Sequence, residues 1–446
     1  MKRTSALLGA LSAALLLTAA IPAPAQGAPT ANAPVRAVFG GITSADNPAL
    51  PIGSRLPATL TATRRAATPP APPTLTKAAE EAAKTEITRP LTPPPAAGPQ
   101  AAFAGPVPHS TPFVTVKWCR ENTDSEGNGA MPMDRFNWCA GRDSVIYYID
   151  TEGQVQGNTT FRMTTAGRGD KGSRKTFFTS EFNNFKDSGV VIPAALVRLE
   201  LSYATSGYSD TDGSNPACGV VGNSPTTVAA WRSGSTAVFE INSNKADGYT
   251  PDKISRCTVS QQARSDLNLG WVTLHTTNVR ADSAAYLGTA GATIFSDKYA
   301  ALWDYTRSDP AVNEVAQHIY DAQTNPGSTY PPKASKSIPG KIGSGRPLYY
   351  AADVVWDLET YQRRKDNTTA KNNACKALSP SGTPVGKECD EYPFASTLEG
   401  AGLGDGNFSV RYVSSADNNT AGQWLATWYK DERVINREGF YPIIGG

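Results

Sequence analysis

The sequence predicts a multidomain chain: a β-rich, sandwich-like N-terminal domain over residues 111–297, followed by a small α+β domain over 300–446. Two observations carry that expectation. Between Thr111 and Asp297, short runs of β-branched and aromatic residues recur, several alternate apolar with polar positions, and Gly, Asn, Asp and Ser punctuate them. Beyond Asp297 the pattern changes to helical periodicity interspersed with basic stretches. A length of 446 residues leaves room for two such domains.

The N-terminus reads as an export signal over residues 1–28. Lys2 and Arg3 supply a positive start, Ser5 to Ala20 is a nearly unbroken run of Ala, Leu and small residues, and Ala23-Pro24-Ala25 offers a cleavage site, with Ala28 a second. The run is short for a bilayer span, so a retained anchor is the weaker alternative. No later stretch is long and apolar enough to span, and the expected product is a secreted, extracellular protein with no membrane span. Residues 29–108 are dominated by Ala, Pro and Thr, as in Ala67-Thr68-Pro69-Pro70-Ala71-Pro72-Pro73. Such composition favours extended, solvated backbone, so this stretch reads as a disordered linker or a pro-region.

Six cysteines fit an oxidising compartment. They fall along the chain as Cys119 with Cys139, Cys218 with Cys257, and Cys375 with Cys389, and short loop closure favours these neighbour pairs. No CxxC or Cys/His cluster points to zinc, and His109, His275 and His318 are too scattered for a histidine cage. The net charge of +2 does not announce a nucleic-acid binder, so any basic footprint must be local.

In the β-rich part the expected strands include Val114–Trp118, Val145–Ile149, Thr160–Thr164, Val197–Tyr203, Val238–Ile241, Val272–His275 and Ala292–Phe295. Asp309 to Ala322 then reads as a helix. Asp309 is the N-cap, Pro310 sits in the first turn, and Val312, Val315, Ala316 and Ile319 form the apolar stripe. Between Pro331 and Lys376, nine Lys and Arg face four acids, a local excess of five. A basic stretch is ordinarily a solvated surface, but phosphate backbones require one.

Two further features carry chemistry. Asp390-Glu391 is an adjacent acid pair between Cys389 and Tyr392-Pro393-Phe394; a helix beginning at Pro393 would hold both acids at its N-terminus, with Glu399-Gly400 following. Ser415 to Thr420 reads as a polar loop leading into an apolar helix start at Ala421 to Leu425, and its Asp417, Asn418 and Asn419 are ordinary turn and cap formers. Phosphodiester hydrolysis needs a positioned base, a cation on the phosphate oxygens and basic side chains on the strand. Asp390, Glu391, Glu399 and Asn418 are the oxygen donors for a hard Mg²⁺ or Mn²⁺ ion. Arg363, Arg364, Lys365, Lys371 and Arg411 are the candidate DNA contacts.

The order of these blocks resembles the extracellular bacterial deoxyribonucleases of the NucA/NucB type. Members carry an Asp-Glu-(Trp or Tyr)-Pro block, a Glu-Gly step and a Ser-x-Asp-Asn-x-x-Ala-Gly-x-Trp block in that order, matched here by Asp390 to Pro393, Glu399-Gly400 and Ser415 to Trp424. Gln317 to Ala322 is similar to the His-Ile-x-Asp-Ala helix of that domain, and Arg363-Arg364 to its paired-Arg segment; the likeness spans about Asp309 to Ile444. It implies helices around a short sheet and a non-specific endodeoxyribonuclease with one divalent cation. Asp390 would then be the general base, Glu391, Glu399 and Asn418 would surround the metal, and His318 would polarise a phosphate. Trp424 is expected in the core. This chain departs from the family after Trp424, where Ala426-Thr427-Trp428-Tyr429 replaces Gly and amide residues; Asp431 or Glu432 is the nearest substitute. A glycoside hydrolase is a poor alternative, because adjacent acids cannot flank one glycosidic bond. A wall-associated or toxin-delivery binding protein without catalysis is the stronger competing expectation.

Overall fold

The computed structural model describes residues 35–43, 48–57, 114–123, 130–132, 134–208, 218–243, 251–265, 270–295 and 301–446. The export signal and most of the expected linker lie outside the described residues. Strand β1 (Arg36–Thr43) is a correction to the linker assignment: it pairs antiparallel with β3 (Asn137–Ile149), and Val38 and Phe39 are buried. A short apolar alternation, Val35 to Phe39, was hidden inside an Ala/Pro-dominated composition.

The β-rich region contains two antiparallel sheets. The larger joins β1, β2 (Ala130–Pro132), β3 (Asn137–Ile149), β4 (Val155–Gly169), β5 (Lys175–Gly189), β7 (Cys218–Asn223) and β8 (Ala237–Ser243), in the order β1-β3-β4-β5-β8-β7 with β2 beside β3. The smaller has the order β11-β10-β9-β6, from β6 (Glu200–Tyr208), β9 (Ser255–Arg264), β10 (Val272–Asp282) and β11 (Ala292–Phe295). Strict alternation along β9 buries Ser255, Cys257, Val259, Gln261 and Ala263. Trp138, Phe178 and Phe239 of the larger sheet share one core with Tyr203, Val259 and Leu274 of the smaller.

Strands β3, β4 and β5 run for 13, 15 and 15 residues, longer than the expected short strands, because Gly and Asn continue them instead of ending them. Gly167 illustrates why: a Cβ there would lie 2.9 Å from the Phe295 ring and 3.0 Å from that of Phe178. The expected strand at 114–118 is instead helix α1 (Val116–Thr123). Thr115 Oγ accepts the Trp118 N–H, and the Cys119–Cys139 disulfide ties the helix to β3, so capping and a tether override β propensity. A short helix α2 (Val228–Arg232) inserts Trp231 into the core. The other two disulfides join Cys218 with Cys257 and Cys375 with Cys389, as neighbour pairing predicts.

The C-terminal part combines helices with two small sheets. β12 (Ala301–Thr306) pairs parallel with β16 (Gly439–Gly445), and β13 (Leu348–Tyr349) antiparallel with β16. β14 (Lys387–Tyr392) and β15 (Ser409–Ser414) form an antiparallel pair flanked by α3 (Asn313–Thr324), α4 (Leu358–Leu378) and α5 (Ser415–Asp431). Helix α3 starts at Asn313, later than expected, because Asp309 caps the preceding turn through the Ala311 N–H; the stripe of Val312, Val315, Ala316 and Ile319 is buried as expected. Two other expectations fail. The acids lie on strand β14, not at the start of a helix at Pro393, and the polar run from Ser415 is the first turn of α5, not a loop. Ile254, Ala284 and Leu287 of the β-rich region pack in the same cluster as Ile319, Leu425, Trp428 and Phe440.

Candidate functional site

Alternation along β14 sends Asp390 and Glu391 to opposite faces of the two-stranded sheet. Asp390 faces α3, where its Oδ2 lies 2.7 Å from His318 Nδ1; His318 Nε2 lies 2.7 Å from Ser409 Oγ on β15. His318 is 0% exposed and Ser409 1%. A neutral imidazole satisfies both contacts: Nδ1–H donates to the carboxylate and Nε2 accepts the serine hydroxyl. Both Ser409 and His318 are buried, so neither side chain lies at the molecular surface. No sequence motif marks Ser409, which emerges only from the β14–β15 register placing it opposite Tyr392.

Glu391 faces α4 and is 7% exposed. Burial pushes its carboxyl up to about 8; Lys371 opposes the shift, Asp390 adds to it, and the Ala395 backbone N–H opposes it. Its buried Oε2 has no hydrogen-bond partner. Both acids line a cavity of about 320 Å³, bounded by Arg364 of α4, by Gly422, Ala426 and Lys430 of α5, and by Phe394 to Ser396. A second cavity of about 460 Å³ is lined by Lys371, Lys376, Glu388 and Asn418. Asn418 and Gly422 are one turn apart on α5, and Arg364 and Lys371 two turns apart on α4. The two cavities thus follow one another along α4 and α5.

The remaining expected residues are divided by the fold. Arg364 and Lys371 line the cavities, although one Arg364 N–H is given to the Ala351 carbonyl at 2.9 Å. Lys365 is exposed, its ammonium 4.0 Å from the centre of the Tyr361 ring. Arg363 acts on Glu399 electrostatically, away from the acid pair. Arg411 lies on the α3 face, where Asp321 holds it at 2.7 Å, and it lines neither cavity. Glu399 accepts the Tyr349 N–H at 2.8 Å, and Asn418 donates to Glu388 at 2.9 Å. Gly400 beside Glu399 leaves room for Asn367 of α4, whose side chain donates to the Ala395 and Thr397 carbonyls and so fixes the segment after β14.

Glu391, Glu399 and Asn418 are consequently not gathered around one point. Among the described residues, no group of three or more His, Cys, Asp or Glu side chains is placed to hold a metal ion. The donor set fits a hard, largely hydrated divalent cation bound through one or two carboxylates, with the unpartnered Glu391 oxygen as its first anchor. It does not fit a multi-ligand cage. Trp424 is partly buried against the C-terminal core, in line with a packing role.

The first cavity thus brings the acid pair together with two cationic side chains, Arg364 and Lys430. Residues 353–442 match the family model described as Deoxyribonuclease NucA/NucB, which places a NucA/NucB-type domain in the C-terminal region. His318 precedes the matched span. Neither curated proteins nor solved structures give a significant match to the chain.

Proposed function

We propose that this chain is a secreted, divalent-metal-dependent endodeoxyribonuclease that hydrolyses DNA phosphodiester bonds with little sequence preference. The family match supports a DNA-hydrolysing nuclease. The observation that carries the fuller reading is the Ser409–His318–Asp390 chain, which ends in a cavity that also holds Glu391, Arg364 and Lys430. Three disulfides, and the absence among the described residues of a helix able to cross a membrane, fit export.

Asp390 acts as general base. Its Oδ2 is held by the His318 N–H, which orients the carboxylate while it takes a proton from the attacking water. The water oxygen bonds to phosphorus, the bond to the leaving sugar oxygen breaks, and that oxygen takes a proton from solvent. Arg364 and Lys430 hold the phosphate, and Lys371 continues the cationic track. Glu391 would hold a divalent cation through its unpartnered oxygen, and such a cation would supply charge neutralisation at the phosphate oxygens.

Incubation of the full-length protein with supercoiled plasmid and Mg²⁺ or Mn²⁺ tests this reading. Nicking followed by degradation is expected, with loss of activity in EDTA. Intact plasmid under every metal contradicts the nuclease reading, and activity that survives EDTA contradicts the metal requirement.

A further inference from the structure

The cavity beside the acid pair is not built by the C-terminal region alone. Tyr286 and Leu287, in the turn between β10 and β11 of the β-rich region, line it together with Asp390, Glu391 and Arg364. This turn is rigidly placed. The Tyr286 hydroxyl donates to Asp252 Oδ2 at 2.8 Å and accepts the Asn436 N–H at 2.7 Å, so its two bonds reach into both parts of the molecule. The neighbouring Ala284 N–H donates to the buried Asp282, itself paired with Arg433 at 2.7 Å. With its hydroxyl occupied, Tyr286 has only its ring to offer a ligand. Tyr350 and Tyr429, stacked with ring centroids 3.9 Å apart, line the same cavity.

Aromatic rings together with cations and carboxylates in one lining make the recognition chemistry of a nucleotide: a base against the ring and a phosphate against Arg364 and Lys430. A volume of about 320 Å³ suits one base and its sugar, not a duplex. A base within a duplex is stacked and paired, and enters such a cavity only after being extruded.

Resting on the nuclease reading above, we propose that the β-rich region supplies the substrate specificity of this cleft: Tyr286 receives an unpaired base next to the scissile phosphate, so single-stranded DNA is the preferred substrate. This gives the β-rich region a part in the reaction. The turn closes one side of the cleft, and the rest of the region holds that turn in place.

The test uses the full-length protein with Mn²⁺ on one labelled oligonucleotide, supplied single-stranded or as a duplex. The single strand is expected to show a kcat/KM at least ~10-fold above the duplex. Tyr286→Leu is expected to lower single-strand kcat/KM roughly 10-fold, mainly through KM, and so to shrink the ratio of single-strand to duplex rates; Tyr286→Phe keeps the wild-type ratio. Because Tyr286→Leu also removes two hydrogen bonds, a second arm leaves the protein unaltered and places one abasic residue in the single strand. Cleavage beside that residue is expected to fall about 10-fold. Equal rates on single strand and duplex, or unchanged cutting beside the abasic residue, overturn the proposal. Failure to cut any DNA overturns instead the nuclease reading beneath it, so the two failures are distinguishable.

Discussion

His318 has no exposed surface, yet both of its ring nitrogens are engaged with groups on the strand pair that carries the acids. From the sequence it was a helix residue matched to a family pattern, with a direct phosphate role implied. The role proposed for it is one step back, holding Asp390, because it has no exposed surface to offer a phosphate. Asparagine places an amide near the Nδ1 position and glutamine near Nε2, which separates the two contacts. His318→Asn, retaining a donor toward Asp390, is expected to keep more activity than His318→Gln or His318→Ala. The alanine variant should lose about 10- to 100-fold in kcat with KM within about twofold, and about 1–3 kcal/mol of stability from the unpartnered groups it leaves. Steady-state kinetics and urea unfolding measure both. Equal kcat in all four proteins contradicts an orienting role. Asp390 and Glu391 were legible as an acid pair, but their opposite orientations were not, because the sequence was read toward a helix and only a strand forces the alternation.

At the scale of elements, β14 is fixed by β15 on one edge and by the Cys375–Cys389 disulfide to α4. The bridge joins the cation-bearing helix to the acid-bearing strand across a separation of only 14 residues. Replacing both cysteines with serine is expected to cost about 3 kcal/mol by loop-entropy arguments. Reduction of the wild type with dithiothreitol should lower kcat/KM as β14 loses its register against α4. Thermal unfolding with and without reductant, alongside activity, checks this; unchanged activity after complete reduction of this bridge contradicts the coupling. The sequence showed β14 poorly, since Lys-Glu-Cys-Asp-Glu-Tyr has no apolar alternation and Pro393 constrains Tyr392 equally well in a strand. Helix α5 was misread at its start for a related reason. Asp417, Asn418 and Asn419 are cap-forming residues, but here Asp417 accepts the Glu314 N–H and the two asparagines donate to Glu388, so tertiary partners occupy them. Helix α3 was legible in type and buried face because its apolar stripe follows the helical repeat.

In the whole molecule, the two parts meet across a shared apolar cluster and a buried ionic one. Arg280 donates to Glu438 at 2.7 Å, Arg433 to Asp282 at 2.7 Å, and Arg135 pairs with Glu438 as well. These charges are far apart in sequence, Arg280 and Glu438 by 158 positions and Asp282 and Arg433 by 151, so no local pattern announces their pairing. Asp252, beside this cluster, has its carboxyl pushed up to about 6, first by burial and further by Asp282, against the Tyr286 hydroxyl, which opposes the shift. Its folded value lies above its unfolded one, so its contribution to stability is complete below about pH 4 and declines as pH rises toward 6. Asp252→Asn keeps an acceptor for Tyr286 and removes the charge. At pH 7 it should therefore exceed the wild type by up to about 3 kcal/mol, with the gap closing near pH 4. Urea unfolding at the two pH values measures this, and a gap independent of pH contradicts it. The proposed role of Asp390 as the base of a DNA-cleaving cleft is tested most directly by single-turnover rates of the wild type and Asp390→Asn on DNA at saturating Mn²⁺. A fall of at least ~100-fold in a variant that unfolds at the same urea concentration is the expected result; an undiminished rate contradicts the claim.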